Sequence, residues 1–198
     1  MVEPDFSQPP RAPGAPEDTA WTEPVPPRHL LRVEIVTDSR RVIGAAQHPT
    51  AARLVDLLNW TNEPALALTD VEVAALEGQG EAPHRWPQAH VAMQAIAFAI
   101  PHEEESIAVV RRPLEHVEKR PWRVSALLPR FTVTGCFHLA PAADPANASL
   151  FWNSGFVPLT DAEAIFLPEP TTTWKAAVII VNTARVETYC PPAALAAE

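Results

Sequence analysis

The sequence predicts an all-β protein with minor helix, on three observations. Apolar and polar residues alternate with a period of two in several short runs. Glycines stand inside two of those runs, where a strand needs a bulge or a sharp bend. Residues 32–76 also match residues 123–167 without a gap, with twelve of 45 positions identical. The expected architecture is two tandem, duplicated small β-barrel-like modules packed about a pseudo-two-fold, behind a disordered N-terminal tail.

The tail is expected over 1–27. It holds eight prolines, Pro4, Pro9, Pro10, Pro13, Pro16, Pro24, Pro26 and Pro27. Proline removes backbone donors and rejects helix and central strand, and the stretch has little apolar content to offset ordering entropy. Trp21 is the exception. It either folds back on a groove of its own domain or anchors a partner, as exposed aromatics do at interaction hot spots.

The first module is expected over 28–104. Leu30 to Thr37 alternates around Val33 and Ile35. Asp38-Ser39-Arg40 turns, and Arg41 to Ala46 returns through Gly44. Thr50 is a candidate cap for a short helix carrying Leu54, Leu57 and Leu58 at i, i+3, i+4. Ala65 to Val73 reads as a strand, a polar break at Thr69-Asp70, and a second strand. Glu77 to Pro87 reads as an exposed loop, and Val91 to Ile100 as one longer strand. A linker is expected at 105–120.

The second module, 121–192, repeats the plan. Arg123 to Leu128 runs out, Pro129-Arg130 turns, and Phe131 to His138 returns through Gly135. The helix is weaker at Pro145 to Trp152. Phe156 to Ile165 matches the first module's Leu-Thr-Asp-x-Glu block, and an apolar strand from Ala177 closes the copy. Residues 193–198 are expected to be a flexible C-terminus.

Arg53-Leu54-Val55-Asp56-Leu57-Leu58-Asn59, together with Phe156-Val157-Pro158-Leu159-Thr160-Asp161-Ala162, is similar to motifs of an uncharacterised bacterial family of small Sm-like β-barrel modules. Those proteins carry an Arg-Leu-Ser-Asp-x-Leu-Asn segment followed by Phe-x-Pro-Leu-Thr-Asp-Ala. The resemblance covers most of 30–190 and implies the fold, with no activity attached. The sequence departs from the pattern at Ala65-Leu66-Ala67, and the second copy lacks the Leu-Ser-Asp segment.

Composition narrows the function classes. The formal net charge is −9, which argues against general binding to a nucleic-acid backbone. Arg40, Arg41, Arg111, Arg112, Lys119 and Arg120 would have to converge to rescue that reading. Cys136 and Cys190 are too few for a disulfide framework and fit a reducing, cytoplasmic setting. No apolar run approaches the roughly 18 residues of a membrane span, and the start lacks a secretory h-region. Among 15 cationic residues only Lys119 and Lys175 are lysines, a bias that suggests a GC-rich bacterial genome.

Candidate chemistry is sparse. Asp70 and Glu72 share a strand face, Asp161 and Glu163 repeat them, and four such carboxylates brought together would suit a hard cation. A structural turn with local hydrogen bonds is the competing reading. His138 lies two residues from Cys136, as a thiol–imidazole pair or part of a zinc site would, although no orienting group is apparent. No phosphate loop, dinucleotide glycine pattern or hydrolase elbow is present. Trp152 beside Asn153 is a candidate binding pair. The expectation is a non-enzymatic interaction or scaffold protein without a cofactor, acting on a protein partner or as a homo-oligomer. The alternative is an Sm-like nucleic-acid or small-ligand binder.

Overall fold

The computed structural model describes residues 29–48, 53–78, 82–102, 118–147 and 149–191. The expected tail with Trp21, the cap at Thr50, most of the expected linker with Arg111 and Arg112, and the end beyond residue 191 lie outside them.

The described chain is mostly strand. The first half runs β1 (His29–Val36), β2 (Arg40–His48), helix α1 (Leu54–Trp60), β3 (Ala65–Ala75), β4 (His84–Ala92) and β5 (Phe98–Pro101). The second runs β6 (Arg120–Leu127), β7 (Phe131–Leu139), a helical turn α2 (Ser149–Trp152), β8 (Phe156–Phe166), β9 (Thr173–Asn182) and β10 (Thr188–Cys190). A single 3-10 turn separates β4 from β5 at Met93–Ala95, and β9 from β10 at Thr183–Arg185. The two halves therefore use the same order of elements. Matching strands start 91 residues apart through β3 and β8, and the 3-10 turns start 90 residues apart.

The long closing strands expected at Val91–Ile100 and after Ala177 are broken by these turns. Their tight geometry redirects the chain to the far side of β1 and β6. Residues 84–87, expected to be loop, begin β4. They form an exposed edge with no buried face to impose a period.

Each half has a local sheet of antiparallel neighbours, with β1–β2–β3–β4 in series and β5 on the other side of β1. The second half repeats this with β6 to β10. The halves then join, because β5 pairs with β9, giving one ten-stranded order β10-β6-β7-β8-β9-β5-β1-β2-β3-β4. The sequence predicts two tandem modules packed about a pseudo-two-fold. The observed joint places unlike elements against each other, head to tail.

The expected break at Thr-Asp is a β-bulge inside one long strand. The register slips between Ile43 and Ala45 on β2, and between Thr134 and Cys136 on β7. Opposite the slip, Asp70 and Asp161 take positive φ of 50° and 46°. This region suits Asp better than a branched residue. Gly44 and Gly135 make the bend possible, because a Cβ on Gly135 would lie 2.9 Å from the Cβ atoms of Leu159 and Ala162.

Two apolar clusters form the core, and both cross the joint. Val33, Ile35, Leu57, Leu66 and Leu68 of the first half enclose Phe156 and Ile180 of the second. Phe131, Phe137, Phe151 and Phe166 of the second half enclose Val36, Phe98 and Ile100 of the first. Phe98 meets Phe131 edge-on, ring centroids 5.2 Å apart.

Candidate functional site

The sequence-derived candidates do not converge. Asp70 accepts a 2.9 Å hydrogen bond from Arg32, and its side chain is 87% exposed. Arg123, the matching arginine, donates instead to the Asp161 carbonyl at 3.2 Å. Glu72 pairs with Arg85 and Glu163 with Lys175, each at 3.2 Å. Among the described residues, no group of three or more His, Cys, Asp or Glu side chains is arranged to hold a metal ion. The bonds expected from the Asp70 and Asp161 side chains to nearby backbone are absent from the contacts these residues make. Their left-handed backbone at the bulge is the structural feature. His138 Nε2 lies 2.8 Å from Thr160 Oγ1 across the β7–β8 pair, and Cys136 is half-buried on the same face. Trp152 is 36% exposed on α2, and exposed Asn153 closes that turn through its N–H to the Ser149 carbonyl.

A buried carboxylate escaped the sequence reading. Glu34 lies on β1 with 2% of its surface exposed. It accepts from Arg41 Nε at 2.6 Å and Nη2 at 3.1 Å, from His102 Nε2 at 2.9 Å, and from Trp174 Nε1 at 2.7 Å. Burial by itself pushes this carboxyl up. Hydrogen bonds from Arg41, its charge, and the bonds from His102 and Trp174 outweigh burial and hold the group below the usual carboxylate range. Both oxygens are occupied by charge-assisted donors, and the bond from Trp174 ties the group to the other half. The only trace in the sequence is a mismatch: the corresponding second-half residue is Ser125, bonded at 3.0 Å to Thr134.

Further polar contacts reinforce the same joint. Asn59 brackets the Phe156 backbone, donating to its carbonyl at 2.9 Å and accepting from its N–H at 2.8 Å. Asn182 is buried and donates to the carbonyls of Met93 and Ile96 at 3.2 and 2.9 Å. Arg185 pairs with Asp38 and Arg130 with Glu77, and Arg130 also donates to the Asp38 carbonyl at 2.9 Å.

The candidate site is therefore at the ends of the sheet. Among the described residues β4 and β10 each have a neighbour on one side only, and such edges present backbone donors and acceptors that are open to another strand. On β4 the residues His84 to Gln88 are exposed, including Trp86 at 57%. Beside this edge α1, β3 and β4 surround a hollow of about 240 Å³, lined by Gln47, Leu57, Thr61, Ala65, Leu66 and Gln88 among others. No helix among the described residues is long and apolar enough to cross a membrane.

No family model matches the chain, and no curated protein or solved structure matches it either.

Proposed function

We propose that this chain is a non-enzymatic interaction module, a fused pair of Sm-like units acting as a subunit or adaptor in a larger cytoplasmic assembly. The observation that carries the reading is the ten-stranded sheet, in which β4 and β10 are each unpaired on one side among the described residues. An unpaired strand recruits another strand through main-chain hydrogen bonds, a recurrent mode of recognition. The buried carboxylate supports a scaffold over a catalyst, since every donor around Glu34 is committed to it, Arg41 and His102 from its own half and Trp174 from across the joint. The acidic chain, with a net charge of −9, favours a protein partner over nucleic acid.

Affinity capture from a lysate of the source organism tests this reading. The full chain, a chain lacking residues 1–27, a Trp21→Ala variant and an edge variant, His90→Pro, serve as baits. His90→Pro should lose the captured partner while keeping its melting temperature. Loss with the tail deletion or with Trp21→Ala would assign a share of the contact to the tail. Identical capture by all four baits would overturn an edge-mediated interaction.

A further inference from the structure

The joint inside the chain defines what the two free edges fit. There β5 lies on β9 in register Phe98↔Val181 and Ala99↔Ile180. The Asn182 N–H donates to the Ala97 carbonyl at 3.1 Å, and α1 rests on β8 through Asn59. β10 occupies in the second half the place that β5 has in the first, and β4 the place of β9. Both therefore present, unpartnered among the described residues, the two surfaces that meet at the joint.

We propose that the partner of these edges is a second copy of this chain. The outer edge of β4 in one copy pairs antiparallel with β10 of the next, in register Thr188↔Val91 and Tyr189↔His90. The Ala92 N–H meets the Glu187 carbonyl, and α2 rests on the neighbour's β3. This inference rests on the interaction-module reading and names the partner.

The hollow beside β4 is a second observation pointing the same way. Its residues Ala65 and Gln88 correspond to Phe156 and Val178, which in the second half pack into the first half's cluster. The covered face of one half is thus the open, hollowed face of the other. The exposed edges are also more polar than the joint. Gln88, Ala89 and His90 stand where β9 has Val178, Ile179 and Ile180, and Thr188 stands where β5 has Phe98. Association between chains is accordingly weaker than the tethered joint, which a high effective concentration assists, and it depends on concentration. A contact between unlike surfaces repeats, closing into a ring or extending into a filament.

Disulfide trapping tests the register. The Asn182 N–H points toward β5, and so does that of Ile180, two residues away. Phe98 and Val181 are therefore a non-hydrogen-bonded pair, with side chains close enough to bridge. Val91→Cys with Thr188→Cys, in a Cys190→Ser background, should form interchain disulfide ladders under mild oxidation. The Val91→Cys chain that retains Cys190 is out of register and should cross-link at least roughly ten-fold less. In parallel, sedimentation velocity of the full chain should show reversible, concentration-dependent association. His90→Pro removes an outward N–H from β4 and should weaken that association roughly ten-fold or more, a 1.4 kcal/mol loss. Trapping decides the matter if His90→Pro fails to fold. A monomer at every concentration with no ladder above the control overturns the proposal. So does self-association that traps equally well out of register. Either result leaves the interaction-module reading standing wherever an edge variant loses a different captured protein.

Discussion

Trp174 on β9 donates its indole N–H to Glu34 on β1 at 2.7 Å, linking residues 140 positions apart across the joint. The bond reaches a carboxylate buried in the first half from the edge of the second half's aromatic cluster. Trp174→Phe keeps an aromatic ring at the position but removes the indole N–H, leaving one carboxylate oxygen a donor short. We expect a loss of about 1–3 kcal/mol in urea unfolding. An unchanged midpoint would show that the bond contributes nothing to the joint.

The same carboxylate sets a pH dependence. Its folded pKa lies below its usual value, so its contribution is complete above the unfolded pKa. It is lost as pH falls through the folded pKa. The stability difference between wild type and Glu34→Gln should therefore be large near neutrality and shrink below about pH 4. Paired denaturation curves at the two pH values measure it. A difference that grows on acidification contradicts the assignment.

Asn59 makes two bonds to the backbone of Phe156, on the far side of the joint. Asn59→Ala removes both partners and should cost about 1–3 kcal/mol. The clusters interpenetrate, so unfolding should remain a single transition. Calorimetry resolving two transitions would mean that the halves melt independently.

The paired glycines differ in how tightly they are enclosed. A methyl on Gly135 meets Leu159 and Ala162 at 2.9 Å, whereas the nearest atom to one on Gly44 is Leu68 Cβ at 3.1 Å. Gly135→Ala should cost about 1–3 kcal/mol and Gly44→Ala less. Equal effects would indicate that the backbone relaxes around both.

At the bulge, Asp161→Asn preserves a side chain that tolerates left-handed backbone and should shift stability by less than about 0.5 kcal/mol. Asp161→Val should cost about 1–2 kcal/mol. A loss in the asparagine variant as large as in the valine variant would mean that the carboxylate matters more than the φ of 46°.

The hairpins, α1 and the bulges were legible because their signals are local. Val33 and Ile35 alternate, Leu54, Leu57 and Leu58 share a helix face, and Gly44 and Gly135 mark close backbone approach. The joint was not legible. Glu34 alternates with apolar neighbours as an outward residue would, and only Arg41, His102 and Trp174 together explain its burial. The first residues of β4 resisted for another reason: an edge facing solvent carries no period, so His84 to Pro87 looked like loop. The metal reading of Asp70, Glu72, Asp161 and Glu163 treated residues in separate halves as neighbours, and the head-to-tail joint keeps them apart.

The exchange of side chains between the two clusters also has a consequence for synthesis. The ribosome delivers β1 to β5 before Phe156 and Ile180 exist, so the first half emerges with its core incomplete and the edge of β5 bare. It must wait, exposed, for segments made roughly 55 to 80 residues later, and long-range closure of this kind is slow. During that interval the bare β5 edge is open to a β9 strand from any nascent neighbour, so chains made close together on one message can exchange halves before either has closed its own joint.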